Sequence, residues 1–314
     1  MKKPALLLAT VAASLLVAVP LSAQGDAPYT VVESGQGFAR LQDAINAIGA
    51  GRGTIRFAPG THRDCGVQTQ GEVAFVAAAP GRSALEGTVC EDKAALVLRG
   101  RQARVEGLIF SGMRSSSKNG AGIRVEDGNL AVSQSWFRDS EQGILTANET
   151  PNGVVTVDKS TFSGLGTCES SGCSHSIYVG RFGSLLVTRS RFEAGTGGHY
   201  VKSRARNVAI LSNSFDDTRG TATNYMIDLP EAATGRIAGN WFVQGRNKEN
   251  YSAFIAIGAE EIRNTADGLV IESNDARFAP GVDRSSAFVA DFTGHALRLG
   301  QNALGAGLKR YEKR

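Results

Sequence analysis

The chain has 314 residues and a formal net charge of +4. Such a weak charge argues against nucleic-acid binding through a strongly basic surface, so we predict no nucleic-acid partner. The length allows one large domain or two ordinary ones.

Residues 1–23 predict a secretory signal peptide. The segment begins with two lysines, continues with an apolar run from Ala5 to Val19 and ends in small residues up to Ala23. An uncleaved membrane anchor is the alternative, but the run is shorter than the roughly 20 residues that a span requires. We predict an exported protein, periplasmic or secreted, with no membrane span after signal cleavage.

Residues 24–52 predict an N-terminal segment with one helix. The helix is expected from about Phe38 to Ile48, because Leu41, Ala44 and Ile45 fall on one face and glycines follow. We expect this helix to cover the open end of the strands that come after it, whose unpaired edge would otherwise recruit other chains.

The four cysteines predict two local disulfides, Cys65–Cys90 and Cys168–Cys173, since export permits disulfide formation. A zinc site made by Cys168, Cys173 and His175 is the alternative. It lacks a fourth ligand, and its cysteine spacing departs from the usual one, so we predict no metal site.

A repeated block dominates the rest of the chain. Stretches such as "LAVSQSWF", "VTVDKSTF" and "LLVTRSRF" alternate apolar and polar residues and end in phenylalanine, at intervals of 23 to 30 residues. The blocks end at Phe110, Phe137, Phe162, Phe192, Phe215 and Phe242. We expect these rings to point inward and to stack.

A second short strand precedes each block. These strands are predicted at 122–125, 143–146, 176–179, 199–203, 225–229 and 253–257. Two or three strands per repeat without helical spacing are typical of a parallel β-helix. The leucine signature of leucine-rich repeats is missing. We therefore predict an all-β fold, a parallel β-helix (solenoid) of eight to ten coils over 53–306, followed by a charged tail at 307–314.

With these repeats and the N-terminal helix, residues 30–305 resemble the right-handed parallel β-helix proteins of the pectate-lyase-like superfamily. The resemblance implies a right-handed solenoid with an N-terminal capping helix. It implies a function only loosely, because the fold carries lyases, hydrolases, epimerases and proteins without catalysis.

Alternation places several polar side chains on the outside of the second strands. If Ile177, Val201 and Ile227 point inward, their neighbours point outward. The outward residues are Tyr178, Tyr200, Lys202 and Asp228, with Arg204 further along. His175 and His199 come just before their strands, at the mouth of the same face. Adjacent coils lie about 4.8 Å apart, so we expect Tyr178, Lys202 and Asp228 to form a ladder.

This ladder predicts chemistry on an acidic polysaccharide. A lyase for uronic-acid polymers needs a cation for the carboxylate, a base for the adjacent proton and an acid for the leaving oxygen. We assign catalytic roles to Lys202, Arg204, Tyr178 and His199. Substrate-binding roles are assigned to His175, Tyr200, Tyr225 and Asp228.

The Lys202-Ser203 pair at the head of a strand also resembles alginate and chondroitin lyases of β-helix type, which implies Lys202 as the base. Those enzymes have an arginine on the following coil, where this chain has Asp228. The resemblance implies no certain cofactor and leaves a calcium requirement open, and we expect a monomer.

Other readings of the same residues remain open. A C5 epimerase would use nearly the same side chains as a lyase. A glycoside hydrolase would need two carboxyl groups, for which Asp228 and Glu260 are conceivable. A non-catalytic glycan-binding or structural protein would leave Lys202 and Asp228 as a surface ion pair. Asp216 and Asp217 are predicted to be acids of a turn.

Overall fold

The structure is a computed structural model that describes residues 27–169 and 172–314. The predicted signal peptide at 1–23 lies outside the described residues. Within them the chain forms an all-β parallel β-solenoid of about nine turns, as the repeats predicted. Right-handedness stays a prediction.

Three long sheets run along the solenoid, and each turn contributes a strand to every sheet. Sheet A consists of Gln36–Phe38, Tyr29–Val31, Arg52–Phe57, Glu72–Ala77, Gln102–Glu106, Asn129–Ser133, Glu149–Asp158, Arg181–Thr188, Asn207–Leu211, Thr234–Ala238, Val270–Glu272 and Arg298–Leu299. Sheet B consists of Gly60–His62, Ser83–Glu86, Leu108–Ser111, Trp136–Arg138, Thr161–Ser163, Arg191–Glu193, Ser214–Asp216, Trp241–Gln244, Asp275–Phe278 and Ala303–Leu304.

Sheet C carries the residues to which the sequence assigned function. It consists of Gly66–Gln68, Ala94–Leu98, Ala121–Val125, Gln142–Thr146, Ile177–Val179, Val201–Ser203, Ile227–Leu229, Ala253–Ile257, Ser286–Asp291 and Leu308–Lys313. A short pair of strands, Thr221–Thr223 and Asn247–Lys248, lies outside the three sheets. The last strand corrects the expected tail at 307–314, because it pairs in parallel with Ser286–Asp291.

The helix spans Leu41–Ile48, three residues shorter at its start than predicted. Gln36–Phe38 instead pairs with Tyr29–Val31, and the Asp64 carboxylate accepts the Leu41 N–H at 2.7 Å. Leu41, Ala44 and Ile45 are buried, and the Leu41 and Ile45 side chains pack on Gly66 in the first strand of sheet C. That the helix closes the core stays a prediction.

The predicted phenylalanine ladder is confirmed. From Phe110 to Phe242 the successive rings are parallel, with centroids 4.8 to 4.9 Å apart, and each is at most 1% exposed. Stacked aromatic pairs stabilise the fold beyond the contribution from the apolar area that these large side chains bury. Residues at equal offsets before the phenylalanines lie in register in sheet A, for example Val132, Val157 and Val187, whereas loops of different length precede the strands of sheet C.

A polar ladder runs beside the rings, at the corner between sheets A and B. Four asparagines form it: the side-chain amide of each donates to the Oδ1 of the next at 2.9 to 3.0 Å, in the order Asn213, Asn240, Asn274 and Asn302. Serines continue the ladder toward the N-terminal end, at Ser135, Ser160 and Ser190. These side chains form hydrogen bonds with backbone N–H and C=O groups at the corner, where the sheets provide no partner for them.

Both predicted disulfides are present, and the described residues contain no free cysteine. Cys65–Cys90 joins one turn to the next, and Cys168–Cys173 closes a short loop before sheet C. No helix among residues 27–169 and 172–314 is long and apolar enough to cross a membrane.

Candidate functional site: a charged face on sheet C

The predicted outward ladder exists. Tyr178 lies in register with Lys202, and Lys202 lies in register with Asp228, so the three occupy one position in consecutive turns. Tyr178 and Lys202 are half-buried, whereas Asp228 is only 2% exposed. We call this ladder, together with the Arg204, Glu231 and Glu260 side chains that contact it, the charged face.

Lys202 is held by two carboxylates. Its Nζ lies 3.2 Å from Asp228 Oδ2 and 2.7 Å from Glu260 Oε1. Burial alone would lower the pKa of Lys202, but the two carboxylates outweigh it and the pKa is raised above its ordinary value. The side chain is therefore an ammonium at neutral pH, which opposes the base role that the sequence assigned to it.

Arg204 links three groups of the charged face. Its Nε donates to Tyr178 Oη at 2.9 Å, its Nη1 to Glu231 Oε1 at 2.9 Å and its Nη2 to Glu260 Oε2 at 2.6 Å. The guanidinium also lies 5.8 Å from the centre of the Tyr178 ring. Glu231 is fully buried and is held in addition by Arg181, in a bidentate pair at 2.7 and 2.9 Å.

Glu260 occupies the solvent side of the charged face. Its side chain is 44% exposed, and its two oxygens bind different cations, Lys202 and Arg204. Burial would raise the pKa of Glu260, but these two cations lower it below the ordinary value. A carboxylate is therefore already bound between the lysine and the arginine.

The two histidines lie on the outside of sheet C, as predicted, but they are covered. The His175 and His199 rings are 5.0 Å apart, Tyr225 stacks on His199 at 5.6 Å, and both histidines are under 10% exposed. His199 Nε2 lies 3.4 Å from Asp228 Oδ2. Burial lowers the pKa of His199 to about 4, so its ring is neutral at pH 7 and forms no ion pair with Asp228 at that pH.

Tyr200 corrects the sequence prediction, because it points into the core. Its ring packs 6.2 Å from Phe192, and its hydroxyl donates to Asp217 Oδ1 at 2.8 Å. At the entrance to sheet C two consecutive residues face inward, Tyr200 with Val201 and likewise Met226 with Ile227. Strict alternation therefore fails there, and Tyr200 is removed from the substrate-binding set.

The predicted turn acids differ from each other in the structure. Asp216 ends a strand of sheet B, whereas Asp217 is fully buried and accepts hydrogen bonds from Tyr200, Thr223 and Lys248. Lys248 is also fully buried, and burial lowers its pKa. Asp217 is therefore part of an internal ionic network that orders the chain beneath the short outer strand pair.

Four buried side-chain atoms on sheet C make no hydrogen bond within the described part of the chain: Gln68 Oε1, Arg124 Nε, Gln142 Oε1 and Asp228 Oδ1. Of these, Arg124 Nε still lies 3.6 Å from Glu126 Oε1. Arg124 lies two turns from Tyr178 in the same outward column. Such unpaired buried groups are costly and call for an explanation, for which a bound ligand is one candidate. The described residues contain no group of three or more side chains able to hold a metal ion, and the predicted zinc alternative fails because Cys168 and Cys173 are bonded to each other.

A surface cleft lies on another sheet. Glu33, Arg52, Glu72 and Arg104 line it on sheet A, among the first turns, and it shares no residue with the charged face. Its charged groups form an exposed pair, in which Arg52 is 82% exposed and contacts Glu72. Because exposed pairs of this kind recognise little by themselves, we favour the charged face as the functional site.

The sequence missed Glu231 and Arg181, and considered Glu260 only as a hydrolytic acid. These residues follow sheet C strands by two or three positions, where the chain leaves the regular alternation. Comparing the residues just after successive strands would have shown acids and arginines in consecutive turns.

Comparisons with known proteins supply no family. No protein-family model matches the chain, and no curated protein matches it. Among solved structures, one described as "Geobacillus virus E2 - ORF18" matches with 16% identity and a TM-score of 0.47. The match covers 87% of this chain and 56% of the viral one, so the chain spans little more than half the length of that structure. A likeness of this degree carries no argument about function.

Proposed function

We propose that the charged face binds the carboxylate of a uronic-acid polymer, and that the protein is an exported polysaccharide lyase that cleaves such a polymer by β-elimination. The observation that carries the proposal is the binding of Glu260, one oxygen to Lys202 at 2.7 Å and the other to Arg204 at 2.6 Å. A sugar carboxylate has the same charge and the same two oxygens. It takes the place of Glu260 when that exposed side chain turns toward solvent.

The elimination breaks two bonds and forms one double bond. The proton on C5, beside the sugar carboxylate, is removed, its electron pair forms the C4–C5 double bond, and the bond from C4 to the leaving oxygen breaks. That oxygen takes up a proton. Lys202 and Arg204 stabilise the negative charge that spreads onto the carboxylate when the proton leaves.

In this proposal the Tyr178 side chain, as a phenolate, takes up the C5 proton and then gives it to the leaving oxygen, which regenerates the phenolate. Its hydroxyl oxygen accepts a hydrogen bond from Arg204, so a cation lies beside the atom on which negative charge would develop. Lys202 neutralises the substrate in this scheme and does not act as a base, because its pKa is raised.

The proposal includes membership of the pectate-lyase-like superfamily and export from the cell. The parallel solenoid and its stacked phenylalanines support the first, and the two disulfides are compatible with the second. The predicted signal peptide adds to the case for export. An acidic polysaccharide outside the cytoplasm is then the substrate class.

A C5 epimerase would return the proton to the opposite face of C5 and would use the same side chains. A glycoside hydrolase fits less well. It requires one protonated carboxyl group, whereas Asp228 and Glu260 both contact the Lys202 ammonium, and the pKa of Glu260 is lowered.

A non-catalytic glycan-binding protein is the second candidate, and one observation favours it. The charged groups of the face are paired with one another, and neither Lys202 nor His199 has a pKa near 7, since the pKa of Lys202 is raised and that of His199 is lowered. Such a face suits recognition of a carboxylate even without proton transfer.

The test is incubation of the purified protein with alginate, pectate and chondroitin, following ultraviolet absorbance of the unsaturated product and exchange of the C5 proton. We expect absorbance to rise with one of these polymers and the Tyr178→Phe variant to lose most of that activity. The matched control is Tyr311→Phe, whose hydroxyl binds Asp291 in a later turn. Full activity of Tyr178→Phe would exclude the assigned proton-transfer group. Binding without turnover would favour the glycan-binding candidate.

A further inference from the structure

The two tryptophans of the chain lie on a different surface, the outer face of sheet B. Trp136 is 39% exposed and Trp241 is 37% exposed. Tryptophan is buried to a large extent in most proteins, and single exposed hydrophobic residues are common, so it is the recurrence of two indoles on one sheet face that calls for an explanation. One side of the Trp136 ring is approached by the Arg138 guanidinium, 5.0 Å from the ring centre. Neither residue contributes to the phenylalanine ladder. Their chain neighbours Phe137 and Phe242, which point inward, are the ladder members.

The two indoles occupy the same column of the sheet. The parallel register runs from Trp136 through Thr161, Arg191 and Ser214 to Trp241, one residue per turn. Neighbouring strands lie about 4.8 Å apart, so four steps separate the tryptophans by about 19 Å along the solenoid. An extended oligosaccharide of several sugars spans that distance.

The surface between the indoles is polar and electrically balanced. The adjacent outward column carries Ser163, Glu193 and Asp216. Arg191, in the tryptophan column, contacts this second column at 2.7 Å from Glu193 and 3.8 Å from Asp216. Hydroxyl groups and paired charges therefore form the floor between the tryptophans.

We propose that this face, which we call the tryptophan face, binds a polysaccharide chain. The indoles stack on the apolar C–H faces of two pyranose rings, and the hydroxyl and charged groups between them hydrogen-bond the ring hydroxyls. The shared chemistry is a run of pyranose rings, which neutral and acidic polymers both supply.

A protein partner fits the same surface less well. The core of a stable protein interface is a contiguous apolar patch, whereas here two separate indoles flank a polar floor. The tryptophan face lies on sheet B and the charged face on sheet C, so this inference does not rest on the proposed lyase activity. A catalytically inert protein would still bind glycan here.

Tryptophan fluorescence tests the proposal directly, because both tryptophans of the chain lie on this face. The full-length exported protein is titrated with a neutral β-glucan, a neutral xylan and alginate, while tryptophan emission is recorded. We expect saturable quenching or a blue shift with at least one polymer. Trp136→Ser and Trp241→Ser should each weaken that binding at least about tenfold, since each removes one aromatic stacking surface.

The matched control is Tyr251→Ser, which removes a more exposed aromatic side chain away from sheet B. It should bind as the unmodified protein does, and thermal melts verify that each variant is folded. Response to the neutral polymers identifies a neutral glycan, and response to alginate alone identifies an acidic one.

Three outcomes would overturn the proposal. The first is an unchanged emission with every polymer. The second is equal affinity of the folded Trp136→Ser/Trp241→Ser variant for a polymer that alters the emission of the unmodified protein. The third is self-association of the unmodified protein that this double variant abolishes, which would make the face an interface between copies of the chain.

Discussion

Glu260 is the residue whose removal should strengthen ligand binding. Lys202 keeps Asp228 and Arg204 keeps Glu231 when Glu260 loses its charge, so both cations stay paired and the face stays folded. A charge-assisted hydrogen bond is worth about 1.5–3 kcal/mol, and Glu260 competes for two of them. We expect Glu260→Gln to bind an oligouronate about tenfold more tightly in a calorimetric titration.

The neighbouring Glu261→Gln is the control for that titration, because Glu261 is exposed and pairs only with Arg263 among the contacts of the described residues. Its affinity should match that of the unmodified protein. Weaker binding by Glu260→Gln would mean that Glu260 contacts the ligand and does not occupy its place.

The buried His199 ring should make the stability of the folded protein depend on pH. Burial lowers the pKa of His199 in the folded protein to about 4, whereas the unfolded chain binds the proton near pH 6.5. The unfolded state therefore takes up protons first, and stability present above pH 6.5 is lost as the pH falls toward 4. We expect a loss of the order of 3 kcal/mol from this group.

Urea unfolding of the unmodified protein and of His199→Gln between pH 7.5 and 4 measures this dependence. The variant should show the shallower decline, since it lacks the titrating ring. Equal slopes would contradict the assignment, because the groups common to both proteins, among them the buried His175 and the carboxylates, would then account for the entire loss.

At the residue scale, the sequence predicts a side chain where the alternation of a strand is regular. The column of Tyr178, Lys202 and Asp228 was predicted for this reason. Tyr200 was misplaced because two consecutive residues face inward at the entrance to sheet C. The contact of Glu260 with Lys202 spans 58 residues and depends on the path of a loop, which no local pattern encodes.

At the scale of elements, the phenylalanines and asparagines perform different tasks at neighbouring positions. The rings fill the core, and the polar ladder satisfies the backbone at the corner before each strand of sheet B. The residue before each ladder position from Ser135 to Asn274 has a positive φ, for example 57° at Ser212 and 67° at Gly239. The sequence contains this signal as a serine or asparagine two residues before each ladder phenylalanine from Phe137 to Phe242, but the prediction used the rings alone.

Asn240→Ala should destabilise the solenoid by about 3 kcal/mol. Asn240 Nδ2 donates to the Ile210 carbonyl at 2.8 Å, and its Oδ1 accepts from the backbone and the side chain of Asn213 at 2.9 and 3.0 Å. Truncation leaves these buried groups without partners, at about 1–3 kcal/mol each before relaxation. Urea unfolding measures the loss.

Asn207→Ala is the matched control, because Asn207 is exposed on sheet A and contacts only the Thr234 hydroxyl through its side chain in the described structure. Its loss should stay within about 0.5 kcal/mol. Equal losses for the two variants would show that the ladder does not stabilise the corner.

At the scale of the whole molecule, the fold was predictable because a solenoid repeats its signal in every turn. The disulfides were predictable from spacing and presumed export, since each joins cysteines that are near in sequence. The function is encoded less directly, because the charged face and the tryptophan face each combine single residues from several turns. Only the register of the sheets brings those residues together.

Carboxylate recognition by the charged face is the central claim, and one binding comparison tests it most directly. An oligouronate and its carboxyl-reduced counterpart have the same rings and linkages, and differ only in charge. Both are titrated calorimetrically into the Trp136→Ser/Trp241→Ser protein, so that the tryptophan face does not contribute. We predict saturable binding of the oligouronate and at least a tenfold loss on carboxyl reduction, since each charged contact is worth about 1.5–3 kcal/mol. Equal binding of the two ligands, or binding of neither, would contradict the claim.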